Sequence, residues 1–561
     1  MNDIRTKPAI DGIMLEIAWG RLTAVADEAA AALVRTSFST GVRESNDFAC
    51  VLMDSRGNSL AENRGGIPSF CGCVGRTTQE LMQRYPPGTW QPGDVFITND
   101  PWLGTGHLPD VTVVMPIFLG QRLIGYAGTV AHNPDMGGAG FSADCTEVYE
   151  EGLRIPPLRL IKNGELCEEL IALLRANSRI PNECVGDILA QVSSCRVMQQ
   201  GTLELLGDLG MDGLDEMATL LQDRAESVMR AAISRIPDGV YHAEVPMDGY
   251  DEPLRIVCTI TVAGDEMTID YEGSSPAVPK GINCVEHYTW AYTTYPVKCI
   301  LDPSGPRNEG SFRPIKVLAP AGSILNATFP APCSARHLVG HMLSSSIFLA
   351  LGEAIPELVI ADSGSAPGFR TIYSGQDERG ERFHFILFAN GGMGARPTAD
   401  GLACTQFPSN TAAASIEVME TLTPMTVWAK QLIPGSGGDG RYRGGDGQEI
   451  IIEMGNTPVH ASIMAERVLH PAEGLQGGRP GSPVSLNLLN REAALPRKGR
   501  TMLRPGDVIQ LRYAGGGGYG DPTERERAAV MRDLRDGLVT PEVARSVYDL
   551  SDAEVEAAHD D

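Results

Sequence analysis

Residues 106–132 read GHLPDVTVVMPIFLGQRLIGYAGTVAH, an apolar stretch closed by a histidine at each end. The chain carries ten histidines in 561 residues, and here two of them bracket one segment, with Asp110 close behind the first. DVTVVMPIF and RLIGYAGTVAH have strand composition, and Gly120-Gln121 between them suits a short hairpin loop. Pairing the strands about that loop sets Asp110 opposite Ala131 and Pro109 opposite His132. His107, Asp110 and His132 are therefore expected at the open end of one hairpin. Gly106 and Pro109 keep the incoming segment out of the ladder and leave the three side chains free to converge. Two imidazoles and a carboxylate are the mixed nitrogen and oxygen set that catalytic Zn, Mn or non-haem Fe accepts.

Outward from the hairpin, the β pattern starts at Gly93 with GDVFITND. Residues 47–61 read as strand, turn and strand, and residues 12–36 as one long amphipathic helix with Leu15, Ile17, Leu22, Val25 and Ala29 at helical spacing. A short helix over Gln79–Tyr85 is expected to stop at Pro86-Pro87. Residues 163–232 turn helical, and LRIVCTITVAG with EMTIDYEG suggests a second hairpin beyond Pro237-Asp238-Gly239. The expected fold class is α+β, a large mixed multi-layer architecture with antiparallel β-rich regions and flanking helices. The expected division is 1–236 around the metal site, 237–330 β-rich, 331–522 mixed α/β and turn-rich β, and 523–561 a tail of two short helices.

Composition narrows the function classes. A formal net charge of −25 and the lack of any Lys/Arg-rich block argue against nucleic acid, whose phosphates need a basic surface. No stretch is apolar enough to cross a membrane, and MNDIRTKPAIDG has no signal-peptide core, so a cytoplasmic protein is expected. The twelve cysteines are scattered apart from Cys71-Gly-Cys73, which speaks against structural zinc and fits a reducing compartment.

Further carboxylates lie near the bracket: Glu44 and Asp47 in GVRESNDF, Asp100 in TNDP and Asp135 in AHNPDMGG. Each is a candidate for ligation, for substrate binding or for general-base work on water, with Asp47 and Asp135 foremost. The opposing reading is that Asp beside Pro or Gly is an ordinary turn residue. AGGGGYGDP (514–522) and SGGDGRYRGGDG (436–447) lack the GxxxxGK[ST] pattern and are read as tight β turns. NGGMGARPTADG (390–401) is read as a backbone approach to substrate, with Asn410, Thr411 and Glu417 beyond it lining a pocket. SGSAPG (363–368) does not fit the GxSxG nucleophile elbow.

Taken together, LEIAWGRLTAVADEAAAALVRTSFS, ESNDFACVLMDSRG, GDVFITNDPWLGTGHLPDVTVVMPIF, AHNPDMGG, YEEGLRIPP, SGGDGRYRGGDG and AGGGGYGDP resemble the hydantoinase B family, over about residues 8–525. That family includes the C-terminal half of 5-oxoprolinase and the alpha subunits of acetone and related carboxylases. The resemblance implies a metal-containing B-type subunit with one divalent ion (Zn, Mn or Fe) on His107, Asp110 and His132, and Asp47 as a fourth ligand. It implies a hydantoinase A-type partner that binds and hydrolyses ATP, in a hetero-oligomer such as α2β2, so that ATP belongs to the partner and not to this chain.

The activity implied is opening of a cyclic amide, a hydantoin or lactam, that the partner has activated. The alternatives are an ATP-dependent ketone carboxylase of the acetone or acetophenone type, or a metal-free scaffold for the partner's site. Two positions depart from the family pattern. Many members read HHAD where this chain has HNPD, which sets Asn133 in place of an imidazole. Many have a histidine where IPSFCG places Phe70. Asn133 and Phe70 therefore join the expected substrate-binding residues.

Overall fold

The computed structural model describes residues 11–560. The amino-terminal segment 1–10, where the sequence predicts no signal peptide, lies outside the described residues. The predicted hairpin is the middle of a seven-stranded sheet. Its strands are β1 (Phe48–Asp54), β2 (Ser59–Glu62), β3 (Val95–Thr98), β4 (Asp110–Leu119), β5 (Arg122–His132), β6 (Leu158–Lys162) and β7 (Glu165–Leu166). The order is β2-β1-β5-β4-β3-β6-β7, antiparallel throughout.

Both faces of this sheet are covered. Cys50, Leu52, Val111 and Val113 pack under the long helices Gly12–Thr36 and Pro181–Leu209. Ala49, Val51, Val114 and Val130 pack on the opposite face against the helix Pro68–Arg84. Two-sided burial explains why DVTVVMPIF reads as a continuous apolar run rather than an alternating one. Each fully buried Val or Leu there contributes about 1.5–3 kcal/mol.

The hairpin register differs from the sequence reading by one residue. A β-bulge falls between Ile117 and Phe118, so Asp110 faces His132 directly and Val111 faces Ala131. The extra residue of a bulge moves every pair beyond it by one, which no count from the loop can anticipate. The bulge brings the carboxylate and the imidazole opposite one another.

The strands β8 (Gly239–Met247), β9 (Leu254–Ala263), β10 (Glu266–Asp270) and β11 (Ile315–Leu318) form a second sheet, in which the expected hairpin is β9–β10. The last eight strands are β12 (Arg370–Gln376), β13 (Arg382–Phe388), β14 (Thr426–Leu432), β15 (Gln448–Glu453), β16 (Val459–Met464), β17 (Ser485–Leu488), β18 (Lys498–Leu503) and β19 (Val508–Arg512). They make two four-stranded sheets, β13-β12-β16-β18 and β14-β15-β19-β17, packed around Tyr373, Phe385, Ile450 and Ile509. The other face of β12 and β13 carries Ile372 and Ile386 into the central core with the helix Met342–Leu351.

Several expectations need correction. The helix expected at Gln79 begins at Pro68, because Pro at a first helical position favours initiation and the interior glycines do not stop it. The tail holds three short helices rather than two: Arg527–Arg535, Pro541–Ser546 and Asp552–Asp560. The glycine-rich segments are not simple turns. They run through one another as extended backbone, with Gly516 N–H bonded to Gly445 O (2.9 Å) and Gly438 N–H to Gly516 O (2.8 Å). A Cβ on Gly515 would stand 1.8 Å from Ser436 O, so the absence of a side chain is what lets these chains stack. The 390–401 segment belongs to the same packing: a Cβ on Gly392 would meet Gly445 O at 1.6 Å. Its glycines allow this close packing of backbone.

Candidate metal centre

Three neighbouring strands end at one edge of the seven-stranded sheet and place three polar residues in a row. Asp110 opens β4, His132 closes β5 opposite it, and Asp47 precedes β1 with its carbonyl accepting the His132 N–H at 3.0 Å. His107 approaches from the preceding turn. Gly106 adopts φ +94 there, and a Cβ on it would lie 2.7 Å from Arg336 Cδ, so glycine is required for the turn to pass that side chain.

Asp110 Oδ2 accepts from Thr105 Oγ1 (2.6 Å) and Arg336 Nη2 (2.5 Å). Asp110 Oδ1 faces the imidazoles, 2.7 Å from His107 Nε2 and 3.2 Å from His132 Nδ1. Burial alone would raise the Asp110 pKa, but the Arg336 guanidinium and the hydrogen bond from His132 hold it well below the usual carboxylate range. His107 Nδ1 lies 2.8 Å from Ser334 O, and a carbonyl only accepts, so the ring hydrogen sits on Nδ1. Burial, with Arg336 nearby, pushes His107 down to about 3, so the ring is neutral. Its Nε2 is therefore a lone pair, buried and without a hydrogen-bond partner, facing an ionised carboxylate oxygen at 2.7 Å. Two lone pairs at that distance repel unless a cation lies against both. The donor atoms of His107, Asp110 and His132 fall within 4.8 Å of one another, and the set fits a divalent ion.

A small cavity adjoins these atoms, with a volume of about 10 Å³, room for roughly one water or ion. Asp47, Phe70, Tyr288, Tyr292, His341 and Arg370 line it. Asp47 Oδ2 stands 3.9 Å from His132 Nδ1, and burial raises its pKa against the pull of His132 and Arg370. His341 Nδ1 accepts the Gly368 N–H at 3.3 Å, and burial with Arg370 holds the ring neutral, which leaves its hydrogen on Nε2.

The family model described as hydantoinase B/oxoprolinase matches residues 11–522. The chain belongs to this family. A protein of Pseudomonas sp. (strain NS671), provisionally named as the B component of a D-/L-hydantoinase, is 33% identical, with 96% of this chain and 95% of that protein aligned. The beta chain of the caprolactamase of Pseudomonas jessenii is 30% identical over 96% of each chain. The crystal structure of the ATP-dependent caprolactamase from Pseudomonas jessenii superposes with a TM-score of 0.88 at 28% identity, over 99% of this chain and 100% of that one. Acetone carboxylase, in its nucleotide-free structure, shares the fold at a TM-score of 0.85 and 20% identity, over 98% of this chain and 82% of that one.

Within this hydantoinase B-type fold the other candidates are spread more widely. Asp135 lies outside the small cavity, held by Arg179 through Nη1 (2.7 Å) and by the Gly137 N–H (3.0 Å). Asn133 is buried, with its Nδ2 donating to Cys184 O (2.9 Å) and its Oδ1 accepting the Asp135 N–H (3.4 Å). Asp100 closes a turn by accepting the Trp102 N–H (3.1 Å), and Glu44 ends the helix Thr40–Arg43. Asn410, in left-handed backbone at φ +66, lines a separate exposed cleft, while its neighbour Ser409 reaches the small cavity.

Sequence reasoning did not single out Arg336, Arg370, His337 or His341. HLVGH sets two histidines four apart, a spacing that in a helix puts both on one face, and this was the available signal. The arginines gave none. Among the described residues, no helix is long and apolar enough to cross a membrane.

Proposed function

We propose that this chain is the metal-containing B-type subunit of an ATP-dependent cyclic amide hydrolase, opening a hydantoin or lactam that an ATP-using A-type partner has activated. The observation that carries the reading is the unpartnered His107 Nε2 facing the ionised Asp110 at 2.7 Å, beside a second imidazole. Relatives that align over nearly the whole chain carry hydantoinase and caprolactamase names, which supports ring opening over carboxylation.

Amide resonance makes the ring carbonyl a poor electrophile, and phosphorylation of its oxygen by the partner removes that resonance. A divalent ion would be held by His107, Asp110 and His132 and would supply Lewis acidity there. The residues around it do the rest. Asp47, whose pKa burial raises, takes the proton of the water that adds to the activated carbon and returns it to the ring nitrogen as the C–N bond breaks. The acyl phosphate left behind is hydrolysed by a second water to carboxylate and phosphate. Arg370 and His341 line the cavity and offer donors to the phosphoryl oxygens of the activated ring. Tyr288 and Tyr292, both buried, keep bulk water out. Ser334 O fixes the His107 tautomer, and Arg336 with Thr105 fixes Asp110.

The test is co-expression with the A-type partner and measurement of ATP-dependent turnover on hydantoins, lactams, 5-oxoproline and ketones, with and without bicarbonate. Ring opening coupled to ADP release is expected. Turnover that needs a ketone and bicarbonate would replace this reading with the carboxylase one.

A further inference from the structure

Outside the small cavity lies a cleft of about 780 Å³ between segment 135–141 and the sheet β13-β12-β16-β18. The two spaces share a wall. Phe141 lines the cleft, and its ring centroid is 5.4 Å from those of both His107 and His132. Strand β12 runs past this wall with one face inward. Arg370 lines the small cavity, and Ile372, Ser374 and Gln376 follow at alternate positions along the cleft. At about 3.4 Å per residue, Ser374 stands roughly 14 Å along the strand from Arg370.

The cleft is graded along that direction. Its floor is apolar, made by Phe141 and Ile372. Above the floor, cross-strand pairing aligns Ser374 with His384 and His460, and Ser462 with Arg500. His384 Nε2 and Ser462 Oγ are buried there without hydrogen-bond partners. At the mouth, Arg382 pairs with Gln376 in the ladder and has no ion pair among the described residues. The other two guanidiniums of the lining are engaged, Arg179 with Asp135 (2.7 Å) and Arg500 with Asp144 (3.0 Å). The carboxylate of Asp377 accepts the backbone N–H groups of Arg379 and Glu381. Among the described residues, this leaves a set of donors and the Arg382 guanidinium unengaged above an apolar floor.

We propose that this cleft is the outer subsite of the metal centre and takes an extended substituent of the cyclic amide, apolar along its length and ending in a carboxylate. This deepens the hydrolase reading and rests on it. The small cavity holds roughly one water, so the ring must displace Phe141 to reach the His107–Asp110–His132 edge. The substituent then lies on Ile372, and its carboxylate meets His384, His460 and Arg382. Rings without such a substituent leave the upper cleft to water.

The test uses the complex with the A-type partner and hydantoins bearing 5-(ω-carboxyalkyl) chains of increasing length, each paired with its neutral carboxamide. For the longer chains the KM of the acid should be at least about tenfold below that of the amide. Arg382→Gln should bring the ratio close to one, and Arg382→Lys should restore most of it. Equal KM values for acid and amide at every length, or an unchanged ratio in Arg382→Gln, would overturn the proposal. If the complex opens no cyclic amide, calorimetric binding of the same pairs still decides. Tighter binding of the long acid that Arg382→Gln abolishes supports the subsite although the hydrolase reading has failed; equal or absent binding of both members overturns the subsite.

Discussion

His107 Nδ1 lies 2.8 Å from the carbonyl oxygen of Ser334, and this bond decides which nitrogen of the ring is a lone pair. Ser334 is itself held, because its N–H donates to Glu151 Oε1 at 2.8 Å, as does the N–H of Cys333 at 2.6 Å. The support of the metal edge thus runs through backbone from a segment more than 200 residues away in sequence.

Glu151 gives a pH prediction. Burial raises its pKa from the ordinary 4.5 to about 8, against the pull of the two N–H groups. The folded state therefore binds this proton more tightly than the unfolded chain. Its stabilising contribution is complete below about pH 4.5 and is lost as pH rises through about 8. Denaturation midpoints followed from pH 5 to pH 9 should fall more steeply for the natural chain than for Glu151→Gln. Parallel profiles would show that Glu151 is already ionised.

Arg336 is the buried counter-charge of Asp110, both side chains being almost inaccessible. Arg336→Met should destabilise the protein by about 3–5 kcal/mol, because it leaves a carboxylate buried without its partner. Saturating divalent metal should recover part of this, since a cation at Oδ1 compensates the same charge. Urea titrations with and without metal read both effects; a metal-independent loss would place the cost in packing alone.

Asp47→Asn separates base from ligand. A positioned general base contributes roughly 10²–10⁴ in rate. Ring opening should drop by at least about a hundredfold while metal content, measured by elemental analysis, stays near that of the natural chain. Loss of metal together with activity would make Asp47 a ligand instead.

Gly106→Ala tests the turn that delivers His107. The position needs φ +94, and the new methyl would press on Arg336. Lower thermal stability and weaker metal binding are expected together. Unchanged metal affinity would show that the turn tolerates the shift.

Much of the metal edge was legible because its residues are local. His107, Asp110 and His132 belong to one hairpin, and strand composition with a Gly-containing loop is enough to find a hairpin. The one-residue error came from the bulge at Ile117/Phe118, which has no composition signal. Arg336 and Arg370 were illegible for a different reason. They reach the site through packing of the last 200 or so residues onto the first sheet, and nothing in the surrounding sequence marks an arginine that will be buried. The glycine runs were misread because extended glycine backbone, stacked on itself, has the same composition as a series of turns. Asp135 shows the reverse: a carboxylate close in sequence to His132 that pairs with Arg179 and lines the outer cleft, not the small cavity.

The central claim is a divalent cation gripped by His107, Asp110 and His132. Diffraction from metal-supplemented crystals of the chain, recorded on both sides of the metal's absorption edge, tests it directly. The account predicts one strong anomalous peak within bonding distance of both imidazoles and of Asp110, absent in His107→Ala crystals. A map with no peak there, in protein that still opens rings with its partner, would contradict it.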